Sequence, residues 1–511
     1  MSNRLLRQHW IVVFAAICVF AAAYPRPIRC VQPSSLPHLR KQGAATQLIV
    51  DGNPFLILGG ELGNSSSSSL EYMRPVWPKL VALNLNTVLV PVYWELIEPV
   101  EGKLDFTLVD GLIQEARKHG LRLAPLWFAS WKNSMSCYAP AWVKTNQQRF
   151  PRAEDKAGNG LEILSPFSQE NLDADARAFA AFMRHLREVD GRDHTVIMVQ
   201  VENEIGMIPD SRDRSAIANK IFNQSAPPEL MNYLERRRDA LMPELRAVWA
   251  ATNFKTRGTW EEVFGPGVST DEIFMAWHFA RYANRVAELG KAEYPLPMFV
   301  NAALIRPGYQ PGQYSSGGPL PHLMDVWRAG APQIDFLSPD IYFTNFADWC
   351  RKYHKSGNPL FIPEAILGPL SAVNALYAIG QHDAIGFSPF SIESVAEPAR
   401  SLLAGSYDVL TQLAPLTRQG SWAITVWIYF SKIINSRPNS TAASAAKFPL
   451  HHYKGNCNVQ LTELGLCHKQ KKTGAIFSKP PPLRRPGSLL VLYCPGGCGR
   501  KAGAFALRPS A

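Results

Sequence analysis

The chain has 511 residues, is 46% hydrophobic and carries 13 Trp, 16 Tyr and 25 Phe, enough apolar surface for one large domain with an appendage. Its net charge of +11 is uneven: residues 431–511 hold 13 Lys and Arg against one acid, Glu463, so the rest is close to neutral. A basic groove for nucleic acid is thereby excluded, and the eight cysteines are too unevenly spread for a disulfide framework.

Arg4 and Arg7 precede an apolar run from Trp10 to Phe20 that ends in Ala21, Ala22 and Ala23. This is the pattern of a secretory signal peptide over residues 1–23, and it predicts a periplasmic or secreted protein. No later segment is apolar enough to span a bilayer, so no stable membrane insertion is expected after cleavage. Residues 24–44 read as a linker.

From residue 45 to 420, short apolar runs alternate with longer stretches of helical period, the rhythm of βα units around a parallel sheet. The first strand is predicted over Phe55–Leu58, running into Gly59, Gly60 and Glu61, with a serine-rich loop behind it. The second covers Asn86–Pro91 and ends near Tyr93 and Trp94. The third, Leu121–Leu126, runs into Trp127, Trp131, Lys132 and Asn133. The fourth, Thr195–Val201, delivers Glu202, Asn203 and Glu204. After a long insertion come Met298–Val300 before Asn301, Phe336–Ser338 before Asp340 and Tyr342, Leu360–Ile362 before Glu364, and Ile385–Phe387. A helix over Ala399–Leu413 closes the series. Eight such repeats with polar and aromatic residues gathered at strand C-termini describe an α/β fold, a (β/α)8 barrel. An open doubly wound sheet fits less well, because Gly59-Gly60-Glu61 lacks the GxGxxG spacing of its phosphate loop.

Residues 421–511 break the pattern. Trp422, Trp427 and Tyr429 resemble the start of a strand, but the following residues are basic, Pro-rich and aperiodic. They read either as the remnant of a β-rich accessory domain, truncated or altered by a frameshift, or as a disordered basic tail.

Chemistry at a barrel mouth needs acids at strand ends, and two stand out. Cleaving an acetal takes one carboxylic acid to protonate the departing oxygen and one carboxylate to attack the anomeric carbon. Glu204 on the fourth strand and Glu364 on the seventh can meet across the mouth as acid/base and nucleophile of a retaining mechanism. Asn203 is placed to bind a sugar hydroxyl beside the reacting carbon, and Tyr342 to hydrogen-bond the nucleophile. Tyr93, Trp94 and Trp131 are candidates for sugar stacking, and Asn301 for a hydroxyl contact. Glu202, two residues before Glu204, is expected on the same side of the strand, as a supporting acid with a basic or hydroxyl partner. GxSxG, HExxH and Walker motifs are missing, and the reaction calls for neither cofactor nor metal. The expected partner is a carbohydrate, and nothing in the sequence points to an oligomeric state.

VLVPVYWELIEPVEGKLDF at Val88–Phe106, VQVENEIG at Val199–Gly206 and FIPEA at Phe361–Ala365 resemble the clan A glycoside hydrolases, and within them the family 35 β-galactosidases. The resemblance covers roughly residues 45–430 and is closest to a bacterial subgroup with a β-rich C-terminal domain. It implies acid/base Glu204, nucleophile Glu364, sugar contacts near Tyr93, Asn203 and Tyr342, and release of terminal β-galactosyl residues. The third strand departs from the family, with Ser130-Trp131-Lys132-Asn133 in place of an Asn-Ala-Glu turn. The glucosides, xylosides and arabinopyranosides therefore stand as alternative substrates, and an inactive carbohydrate-binding paralogue as an alternative of another class.

Overall fold

A computed structural model describes residues 35–43, 45–355 and 357–417, together with two short strands at 460–463 and 490–493. The predicted signal peptide and nearly all of the C-terminal segment, including residues 421–430, lie outside these residues.

The chain enters through a small antiparallel sheet of β1 (His38–Gln42), β2 (Ala45–Val50) and β3 (Asn53–Phe55). Part of the expected linker is therefore a strand. Eight parallel strands follow and close into a barrel: β4 (Ile57–Glu61), β5 (Thr87–Tyr93), β6 (Arg122–Lys132), β9 (Val199–Asn203), β10 (Met298–Ala303), β11 (Phe336–Ile341), β12 (Phe361–Ala365) and β13 (Gly386–Pro389). A β-hairpin of β7 (Arg152–Glu154) and β8 (Gly160–Leu164) is inserted after β6. Beyond the barrel, β14 (Gln460–Glu463) and β15 (Leu490–Tyr493) pair antiparallel.

Each barrel strand is followed by a backing helix: α1 (Trp77–Ala82), α2 (Thr107–Lys118), α3 (Gln169–Asp190), α4 (Val268–Glu293), α5 (Met324–Gly330), α6 (Phe346–Tyr353), α7 (Ser371–His382) and α8 (Ala399–Thr417). Among the described residues no helix is long and apolar enough to cross a membrane.

Two cores account for the pattern of apolar residues. Strands of a closed parallel sheet are covered on both faces, which is why β5, TVLVPVY, is buried at every position. Alternate residues point inward, where Ile57, Leu89, Leu126, Phe299, Phe336 and Phe361 form one cluster. Phe299 stacks on Phe336 at 5.3 Å and meets Phe361 edge-on at 5.2 Å. Outward residues meet the helices; Trp127 stacks on Phe182 of α3 at 5.5 Å.

Leu48 and Val50 of β2 join the inward cluster. At the same end, Arg122, the first residue of β6, donates to Asp51 at 2.7 Å, which places the entry sheet beneath the N-terminal mouth. The opposite mouth is left for chemistry.

Barrel strands run on past the apolar runs, because polar residues such as Glu61, Lys132, Asn203, Asp340 and Glu364 interrupt the apolar pattern near their ends. Strand β9 starts at Val199 rather than Thr195; the Thr195 and Val196 amides are occupied by the Asp190 carboxylate at 3.0 and 2.7 Å.

Leu48→Ala should cost about 2–5 kcal/mol in urea unfolding, the range for truncating a fully buried leucine. A change below about 0.5 kcal/mol, the size of an ordinary surface substitution, would show that the entry sheet does not seal the barrel.

Candidate active site

The C-terminal end of β9 does not continue as a regular strand. Glu202 and Glu204 both have positive φ, at 59° and 45°, a region that side chains with a Cβ rarely occupy and that costs on the order of 1–3 kcal/mol each. Neighbouring strand ends hold them there. The Glu204 amide donates to Asn301 Oδ1 at 2.9 Å, its carbonyl accepts from the Ser134 amide at 3.1 Å, and Glu202 accepts from the Trp131 amide at 2.7 Å.

This backbone overturns the expectation that Glu202 and Glu204 share a side. Simple alternation fails across two left-handed residues. Glu204 enters the barrel mouth, whereas Glu202 turns to a buried group of Asp175 and Tyr282 between barrel and helices. Where a basic or hydroxyl partner was expected, the side chain of Glu202 meets an acid, Asp175. Burial, then the Asp175 charge, raise its proton affinity well above the usual range and favour the protonated carboxyl.

In the mouth, one carboxylate oxygen from each of Glu204, Asp340 and Glu364 lies within 4.8 Å of the others. The three residues are only 4%, 1% and 5% exposed. Glu61, at the end of β4, adds a fourth buried carboxyl whose charge acts on Asp340. Lys132, buried at the end of β6, opposes all four charges.

Burial is the first reason that all four acids hold protons more tightly than in water. Glu364 is pushed up to about 7 by burial and by the Glu204 charge, against Lys132 and the Tyr342 hydroxyl. Glu204 is raised by burial against Lys132, Asp340 and Asn133. Facing acids at this range titrate as a unit and retain one proton where isolated carboxyls would have lost both. Two hydrogen bonds polarise the pair: Tyr342 donates to Glu364 and Asn133 to Glu204.

The other predicted residues separate into three groups. Asn203 is fully buried, and neither its amide nitrogen nor its oxygen has a partner among the described residues. Such a group costs free energy until a ligand completes it. Tyr342 is exposed at the rim with its hydroxyl on Glu364, while Tyr93 lies inside the barrel, 5.2 Å from the Tyr138 ring and 3.0 Å from the Ser67 hydroxyl. Asn301 is engaged within the site: it accepts from the Glu204 amide and donates to Asp340 at 2.7 Å.

Trp94 and Trp131, expected to stack on a sugar, do not reach the mouth. Trp94 packs edge-on to Trp142 and donates to Glu98 at 2.9 Å; Trp131 packs on Phe279 and Tyr282 of α4. Both are wholly buried in the outer core, on the helix side of the strands, so neither offers a face to a sugar.

Glu61 and Asp340 are the site acids that reasoning from the sequence did not single out. Their signal was present: each sits at a strand C-terminus, in step with an inward residue, Ile57 on β4 and Phe336 on β11. The three central carboxylates also form an all-oxygen set of the kind that holds a hard divalent cation, although ligation needs the ionised forms that burial opposes.

Residues 77–289 match the model of glycoside hydrolase family 42, described as beta-galactosidase. The model matched is that of family 42, where the sequence motifs resembled family 35. A beta-galactosidase of Xanthomonas manihotis is 31% identical over 199 residues, 38% of this chain and 30% of that protein. The beta-galactosidase structure from Rahnella sp. R3 aligns with a TM-score of 0.48 at 15% identity, over 71% of this chain and 57% of that one. That from Bacillus circulans aligns with a TM-score of 0.48 at 16% identity, over 70% and 56%. The chain thus spans 30% of the curated relative's length and little more than half of these structures.

Carboxyls whose proton affinity rises on folding stabilise the native state while protonated, and that contribution is lost as pH climbs through the folded-state value. Melting temperature should therefore fall as pH passes from 4.5, the ordinary glutamate value, through about 7, that of Glu364. The fall should be shallower in Glu364→Gln. An identical slope in wild type and variant would contradict the placement of this proton.

Proposed function

We propose that the protein is a retaining β-glycosidase that releases terminal β-galactosyl residues from oligosaccharides or plant polysaccharides by double displacement. The observation that carries this reading is the approach of the Glu204 and Glu364 carboxylates to within 4.8 Å across the barrel mouth. Retaining enzymes hold their two carboxyl groups about 5–5.5 Å apart, whereas inverting enzymes leave a wider gap for water. The galactoside assignment is supported by the family match over residues 77–289 and by the Xanthomonas manihotis relative.

In this mechanism Glu364 attacks the anomeric carbon while Glu204 gives its proton to the departing oxygen. Glu204, now ionised, then takes a proton from water as that water attacks the same carbon and frees Glu364. The pair shares its retained proton; the Tyr342 hydroxyl draws negative charge toward Glu364 against burial and the Glu204 charge, and the reactive form is the one in which that proton sits on Glu204. The unpartnered Asn203 amide suits the hydroxyl next to the reacting carbon. A second β-linked sugar, glucoside, xyloside or arabinopyranoside, is the alternative favoured by the Lys132–Asn133 turn, where Asn133 donates to Glu204. Export to the periplasm or beyond is proposed on the leader at residues 1–23.

On aryl β-glycosides, turnover should be highest for the galactoside; a stronger preference for another glycone would move the assignment to that sugar. Glu204→Gln should lose ~10²–10⁴ in rate on substrates with poor leaving groups and much less on activated aryl glycosides. Equal losses on both would remove the acid role. Glu364→Ala should be inactive and partly restored by azide, giving the α-glycosyl azide; a β-glycosyl azide would transfer the nucleophile role to another acid.

A further inference from the structure

The proposed mechanism leaves Glu61 unused, although the fold goes to some length to place it. Strand β4 alternates between the two cores: Ile57 points into the barrel, Leu58 toward the helices, and Glu61 returns to the inward face. Two glycines just before it let β13 and the segment after it press against β4. A Cβ on Gly59 would meet the Ser388 hydroxyl at 2.2 Å, and one on Gly60 would meet Ile392 at 2.6 Å. Glu61 itself pairs with Leu89 on one side and bridges to Phe390 on the other, so its backbone is held on both edges.

The side chain so placed is 1% exposed, and its Oε1 has no partner among the described residues. Asp340 Oδ1, Glu364 Oε2 and the Asn203 amide are likewise buried and unpartnered. Buried polar atoms in this state are rare because each carries a desolvation cost that a partner would cancel. The mouth is therefore lined by groups that lack donors and acceptors together, and a sugar ring, whose hydroxyls donate and accept, supplies both.

Resting on the glycosidase reading, we infer that Glu61 is a glycone-recognition residue, binding a ring hydroxyl remote from the one beside the reacting carbon. The order of strands around the barrel separates the two contacts. Glu61 on β4 is three strands from β9, which carries Asn203 and Glu204, and two from β12, which carries Glu364. A ring seated between the acids meets Asn203 at one edge and Glu61 at another. Burial and the charges of Glu364, Glu204 and Glu393 favour the protonated carboxyl, which donates as well as accepts. Glu393 fixes the near rim by accepting from the Gly63 amide at 3.0 Å and from the Ser66 hydroxyl.

The test compares wild type, Glu61→Gln and Glu61→Ala on an aryl β-galactoside and its 3-, 4- and 6-deoxy analogues, with circular dichroism and melting temperature as folding controls. On the parent sugar Glu61→Ala should lose ~10–10² in kcat/KM, the scale of leaving a buried hydrogen-bonding group without its partner. On one deoxy analogue that loss should shrink to about threefold or less, because wild type has already forfeited the contact. Should Glu61→Ala not fold, the isosteric Glu61→Gln carries the same comparison. A loss of equal size on the parent and on every deoxy analogue, with wild type active, overturns the Glu61 assignment alone. Wild type inactive on all aryl glycosides overturns the proposed function and this inference with it.

Discussion

Burial of four carboxyls in one space is the constraint from which the rest of the site follows. Glu61, Glu204, Asp340 and Glu364 are each almost fully buried, and Lys132 is the cation set against them. Removing a carboxylate from water is expensive, and facing carboxylates add repulsion, so the group retains protons where isolated acids would have lost them. That retention is what acid catalysis near neutrality requires. A barrel mouth lined by single acids in water would not provide it.

Which acid carries the proton is then decided by neighbours rather than by carboxyl chemistry. A hydroxyl donated by Tyr342 favours charge on Glu364. Asn301 ties the Glu204 backbone to the Asp340 carboxylate, so the acid/base candidate and the third acid are positioned by one amide. Behind them, the two positive-φ residues at the end of β9 separate Glu204 from Glu202 and place each in a different buried acidic group. Strained backbone of this kind persists only where surroundings hold it firmly, and here the ends of β6 and β10 do so.

Much of this was legible in the sequence because the barrel repeats. Apolar runs located every barrel strand, and the residues after them included Glu204, Glu364, Asn203 and Tyr342, all now found at or beside one cluster. What was missed followed from two physical effects. Periodicity cannot tell the inward from the outward face of a strand sealed on both sides, so Trp94 and Trp131 passed for site residues although they face the helices. Alternation also assumes regular strand geometry, which fails at Glu202 and Glu204. Glu61 was overlooked because one acid at a strand end has no partner nearby in sequence; the charges that act on it come from β6, β12, the end of β9 and the segment after β13. The entry strand His38–Gln42 was hidden for another reason, since its exposed face reads as linker.

Covalent trapping identifies the attacking carboxylate. A 2-deoxy-2-fluoro-β-galactosyl fluoride slows breakdown of the glycosyl-enzyme more than its formation, so the attacking residue keeps the sugar through proteolysis and mass spectrometry. The account predicts a single label on Glu364. A label on Glu61, Glu202 or Asp340, or substrate turnover without a covalent adduct, would contradict it.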